Sequence, residues 1–132
     1  MNLTYLNTDL EFRSEKDLSF LIPLMEPTFF VLHHGQVDEA EHFLSFELDD
    51  ICNGEAKGTF SIILDHLESV QKIHPEIFKD CDIVMDAGFQ SGEGESISTE
   101  LNADLLKRIS KLGIRINITI YGIPSSEQDI DL

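Results

Sequence analysis

The chain has little positive charge. Nine lysines and arginines stand against 25 aspartates and glutamates, a formal net charge of −16. Nucleic acid and anionic membrane surfaces both demand cationic contacts, so neither is an expected partner. Cysteine is scarce as well. Cys52 and Cys81 are the whole complement, too few for a disulfide framework, and the expectation is reduced, structural thiols in a cytoplasmic protein. No run of about 18 apolar residues occurs, which excludes a helical membrane span. The segment MNLTYLNTDLEF lacks a basic stretch followed by an apolar block, so no secretory signal is expected. HExxH, paired CxxC, an EF-hand loop and a GxSxG elbow are all missing.

What is present is a core. The chain has 132 residues, 42% of them hydrophobic, enough for one domain that needs no staples. The expected division is a single domain over 1–123 and an acidic tail over 124–132. The most informative passage runs from Ile97 to Gly122. Leu101, Leu105, Ile109 and Leu112 form one helical stripe. Ser98 or Thr99 is the expected cap, with Glu100 and Asp104 near the helix start and Lys107, Arg108 and Lys111 toward its end. Gly113 supplies the stop. The period then changes from about 3.6 to 2. Ile114, Ile116, Ile118 and Ile120 alternate with polar residues, as in a strand with one buried face.

Earlier segments follow the same logic. Residues 2–12 predict a first strand, with Leu6, Leu10 and Phe12 on one parity. Ser14 and Asp17 predict a cap for a short helix carrying Leu18, Leu21, Ile22 and Met25, kinked or ended at Pro23. TFFVLHH over 28–34 and EHFLSFELD over 41–49 predict a hairpin with its loop at Gly35 to Ala40. A helix is expected from about Ala56 to Gln71, buried through Phe60, Ile63, Leu64, Leu67 and Val70. Pro75 opens a short helical turn. Cys81 to Gln90 predicts a strand with Ile83, Met85, Ala87 and Phe89 on one face and Asp82, Asp86 and Gln90 on the other. The order β-α-β-β-α-β-α-β predicts an α+β class. A ferredoxin-like, antiparallel-dominated sheet with helices packed on one face is the expected form.

Several of these segments also carry a family resemblance. They are Ser98, Leu105-Leu106-Lys107-Arg108-Ile109, Leu112-Gly113 and Ile114 to Tyr121, with Asn7-Thr8-Asp9-Leu10 and Phe43-Leu44-Ser45-Phe46-Glu47. Together they resemble the bacterial family catalogued as domain of unknown function 4279, chiefly over the last third of the chain. The chain departs from the family where Phe29-Phe30 follow Glu26-Pro27-Thr28. The resemblance implies an α+β fold and no established activity. Small acidic bacterial proteins of this general kind suggest, by analogy of context, an immunity-type partner of a toxin.

The side chains that could carry chemistry each have a plainer reading. His33, His34, His42, His66 and His74 are the histidines, with Glu39 and His42 at i, i+3. Adjacent His33 and His34 should point to opposite faces of a strand, so no metal and no cofactor are expected. Cys81 is read as a small hydrophobe rather than a nucleophile. The loop Gly88-Phe89-Gln90-Ser91-Gly92-Glu93-Gly94-Glu95 sits where a phosphate loop would. It lacks the spacing and the lysine, and Glu93 and Glu95 would repel phosphate. Asp82 and Asp86 share a strand face but lie about 13 Å apart along it.

The strongest candidate site is an acidic segment. Asp38, Glu39, Glu41, Glu47, Asp49, Asp50 and Glu55 follow one another with no lysine or arginine between them. They are the expected docking surface for a basic protein such as a nuclease toxin. The functional expectation is therefore a non-enzymatic protein-binding module, an immunity-type inhibitor. The alternative is a small-ligand-binding protein or enzyme with a pocket near the 88–96 loop. A homodimer through a free sheet edge is the third reading.

Overall fold

The structure, a computed structural model of the chain, describes residues 4–48, 56–90 and 101–122. It is α+β. Strand β1 (Thr4–Ser14) is followed by a 3₁₀ turn (Ser19–Leu21) that runs into α1 (Ile22–Met25). Then come β2 (Phe29–Asp38), β3 (Glu41–Leu48), α2 (Ala56–Ile73), α3 (Pro75–Asp80), β4 (Asp82–Gln90), α4 (Ala103–Leu112) and β5 (Arg115–Tyr121). The five strands form one sheet in the order β2-β3-β1-β4-β5. The β2–β3, β3–β1 and β1–β4 pairings are antiparallel, and β4–β5 is parallel.

Alternation along the strands decides what each face carries. On β1, Thr8, Leu10 and Phe12 are buried. Leu10 lies opposite Phe46 of β3 on one side and Met85 of β4 on the other, so these side chains share a face. The Phe12 and Phe46 rings meet edge to face at 5.8 Å between centroids, a geometry that suits their quadrupoles. Onto this face pack Leu18, Leu21 and Met25, the α2 stripe of Phe60, Ile63, Leu64, Leu67 and Val70, Ile77 of α3, and Leu105, Ile109 and Leu112 of α4. All belong to one core cluster, and its burial is the main favourable contribution to folding.

Two polar ties fix the helices against each other. His66 of α2 donates from Nε2 to the Leu24 carbonyl at 2.9 Å, and its ring meets Phe29 edge-on at 5.1 Å. Arg108 of α4 donates to both Glu68 oxygens of α2, at 3.0 and 2.7 Å, and also to Asp65. This forked geometry is the strong form of an ion pair. It holds the Glu68 carboxyl below its ordinary range, chiefly through the hydrogen bond from Arg108.

Some local expectations are corrected. The hairpin loop is not Gly35 to Ala40, because β2 continues to Asp38 and only Glu39 and Ala40 turn. Asp38 makes this tight turn by accepting the Ala40 N–H at 2.8 Å. The cap of α4 is Asn102, whose side chain accepts the Leu105 N–H at 2.9 Å; Ser98 and Thr99, the expected caps, lie outside the described residues. Ser14 ends β1 instead of capping a helix. It is Asp17 that accepts the Ser19 N–H, at 2.7 Å. A bulge between Tyr5 and Asn7 turns Leu6 out to solvent, so Leu6 leaves the face of Leu10 and Phe12. Ile114, just ahead of the edge strand β5, is buried, but Ile120 within the strand is exposed. The expectations placed on Cys52, the 91–96 loop and the 124–132 tail lie outside the described residues.

Candidate functional site on the open sheet face

The sheet face away from the core carries charge. Period-2 alternation that buries Leu10 and Phe12 places Asn7, Asp9, Glu11 and Arg13 on the opposite side of β1. The same parity places Phe43, Ser45 and Glu47 of β3, Asp82, Val84 and Asp86 of β4, and Arg115, Asn117 and Thr119 of β5 on that side. Register then brings residues from separate strands into rows. One row crosses all five strands: Phe30, Glu47, Asp9, Asp86 and Asn117. Three successive members are carboxylates. Directly opposed residues have Cα atoms about 4.5–5.5 Å apart, so three negative charges sit within one short span.

The electrostatics of this row are uncompensated. Like charges directly opposite one another across strands destabilise a sheet. Burial pushes the Asp9 carboxyl up to about 6, and Glu47, Asp86 and Glu11 push the same way while His33 opposes them. Glu11, one pair along β1, is also raised, first by burial and then by Asp86, with Arg13 and Arg115 opposing. Both arginines are engaged elsewhere. Arg13 lies 3.6 Å from Glu41 and 4.9 Å above the Phe43 ring. Arg115 is forked onto Asp82, with its Nε at 3.2 Å. Among the described residues, no salt bridge reaches Glu47, Asp9 or Asp86. Neutral amides and a hydroxyl assist instead. Asn7 donates to Asp9 at 3.4 Å, and Asn117 donates to Asp86 at 3.3 Å with Thr119 at 3.5 Å.

Beside the row, on the same face, lies an open concavity of about 500 Å³ lined by Glu11, Arg13, Asp82, Val84, Arg115, Ile116 and Asn117. Ser45 lies opposite Glu11 and two residues from Glu47 on β3. It is only 2% exposed, and its Oγ has no hydrogen-bond partner among the described residues.

The acidic residues singled out in the sequence separate into two groups. Glu47 belongs to the row. Asp38, Glu39 and Glu41 sit at the β2–β3 hairpin tip, about 20 Å away along β3. There Asp38 and Glu41 line a concavity of about 520 Å³ with Arg13, Lys16 and Asp80. Arg13 pairs with Glu41, and Lys16 lies 3.6 Å from Asp80, so the tip is of mixed sign. Asp49, Asp50 and Glu55 lie outside the described residues. Asp9 and Asp86 were missed as partners of Glu47 because they come from strands far apart in sequence. The available signal was the strand parity of each, joined to a register that no single segment specifies.

Other candidates resolve more simply. Among the described residues, no group of three or more His, Cys, Asp or Glu side chains is placed to hold a metal ion. A bulge at Leu32 shifts the register, after which His33 pairs with Ser45 and His34 with Leu44, and His34 Nε2 is 3.4 Å from Ser19 Oγ. Cys81 is half-buried against the core, and burial raises its thiol above the ordinary range, which suppresses the nucleophilic thiolate. Asp82 and Asp86 serve different partners, Arg115 and the Asn117–Thr119 pair. At Gly88, the described start of the glycine-rich loop, Asn7 and Tyr121 occupy the space above the backbone. Among the described residues, no helix is long and apolar enough to cross a membrane. The chain matches no protein-family model, no curated protein and no solved structure.

Proposed function

We propose that this chain is a non-enzymatic protein-binding module, of the immunity-inhibitor kind, that docks a basic partner on its open sheet face. The observation that carries this reading is the row Glu47–Asp9–Asp86, which has no salt-bridge partner among the described residues. A fold that places three carboxylates side by side bears a repulsion that an external cation relieves. The net charge of −16 adds long-range steering toward a positively charged surface. The reading also treats β2-β3-β1-β4 as a ferredoxin-like split βαβ arrangement extended by β5. It keeps the chain beside the family of unknown function 4279 on the motifs of its C-terminal third.

The test is affinity capture from native lysate at low and high salt, with wild-type chain and a Glu47→Gln/Asp86→Asn variant. The reading expects a basic protein held by wild type at low salt, released at high salt and lost by the variant. Equal retention of that protein by the variant would overturn it.

A further inference from the structure

We infer that the open face is a seat for an arginine side chain of the partner, with the guanidinium lying over Asp9 between Glu47 and Asp86, against the Phe30 ring and within reach of Ser45. This deepens the docking reading and rests on it. Four features of the row converge on that chemistry. The carboxylates stand in line across β3, β1 and β4, which suits a planar group with five donors better than a point charge. Phe30 ends the row opposite Glu47, and it is 41% exposed. An aromatic face beside carboxylates offers stacking as well as charge, and guanidinium exploits both. Ser45 Oγ, buried beside Glu47 and without a partner among the described residues, is an acceptor that a donor brought by the partner reaches once the side chains over it move aside. A buried hydroxyl without a partner destabilises the chain alone, and a bound donor would satisfy it. Finally, Arg13 and Arg115 are held by Glu41 and Asp82 and do not fill the seat themselves.

The seat is also sensitive to pH. With its carboxyl raised to about 6, Asp9 is largely ionised at pH 7.5 and largely protonated at pH 5. An arriving guanidinium favours the ionised form, so binding releases a proton and strengthens as pH rises. The charged groups acting on Asp9 are Glu47 on β3, Asp86 on β4, Glu11 on β1 and His33 on β2, while on β5 Arg115 stands one row along, beside Val84 and Glu11.

The experiment titrates N-acetylargininamide and its lysine counterpart into the full chain at low salt, followed by NMR. Expected are shifts centred on Phe30, Ser45, Glu47, Asp9 and Asp86, tighter binding of the arginine compound, and an affinity loss of about tenfold between pH 7.5 and 5. Asp9→Asn should weaken binding by about tenfold. Ser45→Ala should weaken it several-fold without lowering the melting temperature, a combination that a purely structural serine would not give. Shifts centred on the hairpin tip, equal binding of the lysine compound, or an affinity unmoved by Asp9→Asn would each overturn the arginine seat. The docking reading fails separately, when the Glu47→Gln/Asp86→Asn variant still captures the basic protein.

Discussion

Asp9 of β1 stands directly opposite Asp86 of β4 on one side and directly opposite Glu47 of β3 on the other. Stability-driven design would place a lysine or a threonine at such a position, because aligned like charges repel. The chain instead bears the repulsion, and its cost is measurable. Burial first, and then the charges of Glu47 and Asp86, raise the Asp9 carboxyl from 3.8 to about 6, so between those values the folded chain binds a proton that the unfolded chain has released. Stability therefore falls as pH rises from about 4 to 6, and the full penalty is present above 6. Asp9→Asn should stabilise the chain by about 1 kcal/mol at pH 7, the shift being discounted because Asp9 is partly exposed to solvent. The gain should vanish near pH 4. Urea unfolding of both proteins at pH 7 and pH 4 checks the size and the pH dependence together.

The opposite sign is expected at the helix pair. Glu68 is held below its ordinary range by Arg108, so the ion pair contributes stability above about pH 4.5 and loses it as pH falls through the lowered value. Arg108→Met should cost about 1 kcal/mol at pH 7, a modest figure because Glu68 is 37% exposed. The cost should shrink in acid, where protonation of Glu68 takes from the wild type the pair that the variant never makes. Thermal melts at neutral and acid pH measure it.

Gly88 is buried in β4, and the space above it is taken. A Cβ built there would meet Asn7 Oδ1 at 3.2 Å and a Tyr121 ring carbon at 3.5 Å. Gly88→Val should therefore destabilise the chain by about 2 kcal/mol, and Gly88→Ala by less, because only the nearer contact must give way. Because Asn7 hydrogen-bonds to Asp9, the valine variant should also move the NMR resonances of Asp9. Denaturant midpoints and a heteronuclear spectrum test both statements.

The buried layer was largely legible in the sequence, because period alone decides it. Phe60, Ile63, Leu64, Leu67 and Val70 are all buried on α2, as their 3.6-residue spacing requires, and β4 alternates as its sequence does. The candidate site was legible only in pieces. Glu47 stood out because it lies in a local run of acids. Asp9 and Asp86 did not, because what makes them a site is long-range pairing, which composition within a segment does not encode. The extended β2 escaped notice because Gly35, Gln36 and Asp38 are weak strand formers. Pairing with Phe43, His42 and Glu41 overrides that local preference.

The most direct measurement compares the affinity of the captured basic partner for three chains: wild type, Glu47→Gln/Asp86→Asn and Glu39→Gln/Glu41→Gln. The two variants lose the same charge from different places, one from the row and one from the hairpin tip. Docking on the open face predicts a loss of about tenfold or more for the first and little change for the second. Equal losses from both, or a larger loss from the hairpin variant, would contradict it.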